Sequence, residues 1–155
     1  MKKIVPFLMI ILLLIMPAVT TFAAENDHCK VLKTLFNGAS IKQENRICKL
    51  EIPRTNLHVT NMGVKLSPEA IGLSFGVNFE QVGDTTAVVG EFALLGEEVN
   101  PVIDALRKGN IQVTALHNHQ IGEQPQILYL HFQSTGDITS LATTVKNAIE
   151  TTSNK

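Results

Sequence analysis

The chain has 155 residues, and 13 Lys and Arg face 14 Asp and Glu with no Trp and a single Tyr. That length allows one domain with one core. The near-balanced charge, without any Lys/Arg cluster, excludes the basic face that a nucleic-acid partner requires.

Met1-Lys2-Lys3 is a positive start, and Ile4 to Met16 is an apolar run interrupted by Pro6. Pro17 and a series of small residues follow, up to Ala23-Ala24. This is the layout of a secretory signal peptide over residues 1–24, cut after Ala23 or Ala24. The run is shorter than the roughly 20 apolar residues of a spanning helix, so no membrane span is expected after cleavage. No cysteine stands at the cleavage point, so no lipid anchor is expected there. The remaining residues, 25–155, form a single domain of the secreted or extracytoplasmic class. Cys29 and Cys48 are the two cysteines. Outside the cell they are expected to pair, tying the first helix to the first strand; the alternative is two buried thiols.

Asn26 or Asp27 can cap a short helix with Val31, Leu32, Leu35 and Phe36 on its apolar face, stopped at Asn37-Gly38. Asn45 to Ile52 alternates, with Cys48, Leu50 and Ile52 on one side, and reads as a strand ended by Pro53. Leu57 to Leu66 reads as extended with a bend at Gly63, and Ser67-Pro68-Glu69 as a turn or helix start. Leu73 to Val82 and Thr85 to Leu95 flank Gly83-Asp84 and predict a hairpin. Glu97 to Lys108 is a helix on the spacing of Val99, Val102, Ile103 and Leu106, starting near Asn100 so that Pro101 lies in the first turn. Ile111 to His119 and Gln126 to Gln133 are strands, joined by a turn at Ile121–Pro125. Asp137 caps a last helix whose face is Ile138, Leu141, Ala142, Val145 and Ile149. The sum is an α+β domain, an antiparallel-rich sheet with helices packed on one face, with a ferredoxin-like arrangement over 85–150.

The chemistry-bearing stretch is Ala115-Leu116-His117-Asn118-His119, followed by His131 on the next strand. Residues i and i+2 of a strand share a face, so His117 and His119 project together and can hold one divalent transition metal, zinc among the options, through neutral ring nitrogens. Further ligands come from Glu123, Glu91 or His131. The spacing His-x-His-x-x-x-Glu is similar to the first metal motif of cupin barrels, but the helix before it does not suit that barrel. Parity argues against His131. Ile111, Val113 and Ala115 share parity with His117 and His119, whereas Leu128, Leu130 and Phe132 oppose His131, so only a bulge or shifted register unites all three. Two other readings stand beside this one: a metal-free histidine site, and histidines that only pack the strand ends. No nucleophile elbow, phosphate loop or dinucleotide fingerprint is present.

The blocks Gly90-Glu91-Phe92-Ala93-Leu94, Glu98-Val99-Asn100-Pro101-Val102, Ile111 to His119, Leu130-His131-Phe132 and Leu141-Ala142 resemble the LppY/LpqO family of bacterial envelope domains, from about Ile41 to Ile149. The resemblance implies an exported, cell-envelope-associated protein, and it marks His117, Asn118, His119 and His131. It brings no established activity and no substrate. Members with two copies of the domain imply that a homodimer takes the place of the tandem pair here. Two classes of function follow: a metal-binding domain, hydrolytic if a coordination position stays open, or a non-enzymatic envelope module for a cell-wall ligand or protein partner.

Overall fold

A computed structural model describes residues 27–154. The segment expected to be a signal peptide, residues 1–24, lies outside the described residues. Helix α1 (Asp27–Leu35) leads into β1 (Ser40–Glu44) and β2 (Ile47–Pro53). A two-residue ribbon of β3 (Thr60–Asn61) and β4 (Val64–Lys65) and a single-turn helix α2 (Pro68–Ile71) follow. The long hairpin β5 (Ser74–Val82) and β6 (Thr85–Leu94) precedes α3 (Val99–Lys108), β7 (Gln112–His117), β8 (Leu128–Gly136) and α4 (Ile138–Glu150). The main sheet has six strands in the order β1-β2-β5-β6-β8-β7, every neighbouring pair antiparallel. This is the α+β class expected from the sequence. The expected β-α-β-β-α run over 85–150 is present as β6, α3, β7, β8 and α4, with β8 between β6 and β7. Strand β5, reached through the hairpin, takes the other side of β6.

Strand alternation sends Cys48, Leu50, Phe75, Val77, Phe79, Val88, Phe92, Leu130 and Phe132 to one face, where α1, α3 and α4 cover them. Phe92 makes edge-to-face contacts with Phe75 at 4.8 Å and with Phe132 at 4.9 Å, a geometry that aromatic quadrupoles favour. Gly90 faces Phe132 on this side, and a Cβ there would fall within the Phe132 ring. A smaller apolar group of Leu57, Val59, Ile71, Leu73, Ala93, Ile127 and Tyr129 covers one end of the opposite face. The rest of that face is open.

Several boundaries differ from the sequence reading. Strand β1 was not expected, because Ser40 to Glu44 has only Ile41 as a strong apolar residue and lies at the exposed sheet edge. Asn45, expected to begin a strand, instead turns the chain with φ +55°. The disulfide between Cys29 and Cys48, with Cα atoms 5.5 Å apart, therefore ties α1 to the second strand rather than the first. The bend near Gly63 is a turn with positive φ at both Met62 and Gly63, closing the β3–β4 ribbon. The helix from Glu97 is split into a 3-10 turn (Gly96–Glu98) and α3, which places Pro101 in the first turn as expected.

A buried ion pair ties the segment around Ser153 to the sheet. Arg54 is fully buried, and its guanidinium donates to both carboxylate oxygens of Glu98, at 2.5 and 2.8 Å, and to the Ala93 carbonyl at 2.9 Å. Glu98 also accepts from the N–H groups of Leu95 and Ser153, each at 2.9 Å, and from the Ser153 hydroxyl at 2.7 Å. Burial pushes the Glu98 carboxyl up, but the hydrogen bonds from Arg54, Ser153 and Leu95 outweigh it and hold the group at about 2.

Two predictions follow from this packing. Gly90→Ala should lower stability by about 1–3 kcal/mol through overpacking, read as a fall in the urea midpoint. Because the Glu98 carboxyl is depressed in the fold, its contribution is present above about pH 4.5 and is lost as pH falls toward 2. Denaturant midpoints should fall steeply over that range in the parent protein. In Glu98→Gln they should fall less steeply, from a neutral-pH value already about 3–5 kcal/mol lower because Arg54 is left buried and uncompensated.

Candidate metal site

The open face carries the chemistry. Along β6 and β8, Glu91 lies directly opposite His131, and Ala93 opposite Tyr129. On β7 the pairing runs Val113 with Phe132, then shifts by one residue so that Ala115 meets His131 and His117 meets Tyr129. Directly opposed residues share a face, so this bulge turns the strand over. Val113 points to the helical core, whereas Ala115 and His117 point to the open face with Glu91, Tyr129 and His131. The parity objection to a three-histidine cluster is met by the register shift that could overcome it.

His119 lies past the end of β7, so the strand rule does not place it. Asn118 does, by donating from its side chain to the Ile127 carbonyl at 3.1 Å. The His119 ring stacks on Tyr129 at 3.4 Å between centroids, inclined by 8°. The His117 ring lies 5.1 Å from that of His119 and 5.0 Å from that of His131. His117 Nε2 and His131 Nε2 are 2.9 Å apart. Glu91 Oε2 is 2.9 Å from His131 Nε2 and 3.8 Å from His119 Nε2.

One ligand atom each from Glu91, His117 and His119 falls within 4.8 Å of the others, and this group could hold a metal ion. A tetrahedral ion with bonds of roughly 2.0–2.1 Å needs donors about 3.3 Å apart. His131 is not in that group; its contacts with Glu91 and His117, each 2.9 Å, are shorter than that value, whereas the Glu91–His119 separation of 3.8 Å is longer. Glu91 and His119 each remain more than one-third exposed, which leaves the solvent side free.

Glu123 is placed differently. It is buried in the loop between β7 and β8, where its Oε1 accepts from the Ile127 N–H at 2.9 Å, and its Oε2 has no hydrogen-bond partner among the described residues. It is not in the Glu91/His117/His119 group. It fixes the loop that carries His119, together with the paired backbone contacts between Thr60 and Gln124 at 2.8 Å and a side-chain hydrogen bond from Asn61 to Gln120.

Tyr129 was not singled out by sequence reasoning, since one aromatic residue in an apolar strand looks like core. It is buried, donates its hydroxyl to the Ile71 carbonyl at 2.5 Å, and forms the floor under His119. Burial, then the nearby Glu123 and Glu91 carboxylates, push its phenol up to about 12. Gly76 is another silent contributor. It pairs with Glu91 and leaves the next strand bare, so that the Glu51 carboxylate lies over it.

An α+β domain with a histidine–carboxylate cluster on the uncovered face of its sheet is therefore the class that fold and site define. Residues 31–151 match the family described as Domain of Unknown Function (DUF1259), and the chain belongs to that family. No curated protein and no solved structure matches the chain.

Tyr129 is the single tyrosine, so its titration can be read directly. The phenolate ultraviolet band should develop with a midpoint near 12 in the folded protein and near 10 in denaturant. The raised value means that this group stabilises the fold below about pH 10 and ceases to as pH rises toward 12.

Proposed function

We propose that this protein is an exported, cell-envelope-associated domain that binds one divalent transition-metal ion, zinc first among them, and uses it in hydrolysis. The observation that carries the reading is the convergence of Glu91, His117, His119 and His131 on one open sheet face. Imidazole nitrogens and one carboxylate suit zinc-type ions, and an exposed coordination position lets such an ion act as a Lewis acid toward water or a carbonyl. Tyr129 and the Asn118 contact hold the His119 ring in place, as outer contacts do for metal-bound imidazoles. The Cys29–Cys48 disulfide supports folding in an oxidising compartment, and the N-terminal residues carry the pattern of a cleaved leader. Among the described residues no helix is long and apolar enough to cross a membrane. The likeness to LppY/LpqO envelope domains agrees with this address.

One feature favours a second reading. His131 Nε2 lies 2.9 Å from both Glu91 Oε2 and His117 Nε2, and a proton on that nitrogen can bond either neighbour without any ion, as in a metal-free binding module.

Elemental analysis of the untagged mature protein decides between them. About one equivalent of transition metal is expected in the parent protein and none in His117→Ala/His119→Ala. Binding should weaken as pH is lowered, because the ligands must be deprotonated. No metal in the parent protein, even after incubation with zinc, would leave the module reading.

A further inference from the structure

The open face continues beyond the metal ligands. Two residues on from Glu91 and His131 come Val89 and Gln133, which oppose each other, and Gln112 opposes Gln133 from β7. Ala87 and Thr135 form the next pair. These residues line a shallow cavity of about 370 Å³, within the range of small-ligand sites. A strand advances about 3.4 Å per residue, so the Gln112–Gln133 pair lies roughly 7 Å along the sheet from the Glu91–His131 pair.

The chemistry of the lining is specific in what it leaves out. No charged residue lines the cavity, so an ionic ligand would lose hydration without a counter-charge. No aromatic ring lines it either, so a sugar would find no flat apolar surface to stack on. What it offers is two primary amides, each with both donors and an acceptor, the Thr135 hydroxyl, the Ser134 hydroxyl already donated to the Asn110 carbonyl, and a floor of Ala87 and the half-exposed Val89. Main-chain amides match the glutamines, and an aliphatic side chain matches the valine.

We infer that the ligand of this site is an uncharged peptide, extended along β6 and β8, with its reacting carbonyl at the histidine cluster and its next two residues over Val89, Gln112 and Gln133. The inference rests on the metal reading above and adds the substrate class to it.

The test uses the cobalt(II)-loaded protein, whose visible absorption reports ligands entering the metal's coordination sphere. Acetohydroxamate serves as the anchor alone, and the hydroxamate of N-acetyl-alanyl-alanine carries the same anchor with two neutral residues. Both should perturb the cobalt spectrum, the peptide binding at least tenfold more tightly, as expected of two hydrogen bonds of about 0.7 kcal/mol each. Gln112→Ala/Gln133→Ala should remove that tenfold advantage and leave acetohydroxamate unchanged. The hydroxamates of gluconic acid and of an aspartyl dipeptide should gain nothing over acetohydroxamate. Equal binding of the peptide and the anchor would overturn the inference while the metal reading stands. So would an advantage that survives the double variant, or a preference for the polyol. Failure of cobalt and acetohydroxamate to bind at all would remove the metal reading itself, and this inference with it.

Discussion

Helices cover the six-stranded sheet on one face only, and most of the organisation follows from that asymmetry. Strand side chains alternate, so once Phe75, Phe92 and Phe132 are committed to the helical side, every intervening residue faces the other way. Glu91 and His131 lie on the open face because Phe92, Leu130 and Phe132 are needed in the core. The close packing of Gly90 against Phe132 keeps β6 and β8 in register, and thereby keeps the carboxylate opposite the imidazole.

Strand β7 is where this alternation is broken to useful effect. An unbulged strand with Val113 in the core would have buried Ala115 and His117 as well. The extra residue at Thr114 exposes His117 on the same side as His131, at the cost of a disrupted edge ladder. An edge strand tolerates such a break because it has only one partner. The loop after it is held by Asn118, Glu123 and the Thr60–Gln124 pairing, which is what fixes His119 outside regular structure. The cluster thus depends on a segment more than fifty residues earlier in the chain.

The Arg54–Glu98 pair has a comparable structural role. It joins the residue after β2, the start of α3 and the C-terminal Ser153 through one buried carboxylate. Its several hydrogen bonds offset the desolvation of both charges, although the buried Arg54 Nε has no partner among the described residues, and removal of either residue leaves the other without compensation. Neither residue stands out in the sequence, because nothing local distinguishes a buried Arg or Glu from an exposed one.

The sequence by itself determined the α+β class, the β5–β6 hairpin, helix α3, helix α4 with its Asp137 cap, and the histidine stretch, because these rest on local periodicity and turn chemistry. It also marked the two cysteines that pair, and it put His117 and His119 together with Glu123, Glu91 or His131 as further ligands. Strand β1 escaped it, since an exposed edge strand needs no apolar alternation, and so did Tyr129 and Gly76, whose parts depend on neighbours across the sheet. Only the tertiary structure decided which face His117 occupies and where Glu123 sits. Those outcomes depend on the β7 register against β8 and on the packing of the 57–73 segment over the loop, long-range pairings that no local pattern in the chain encodes.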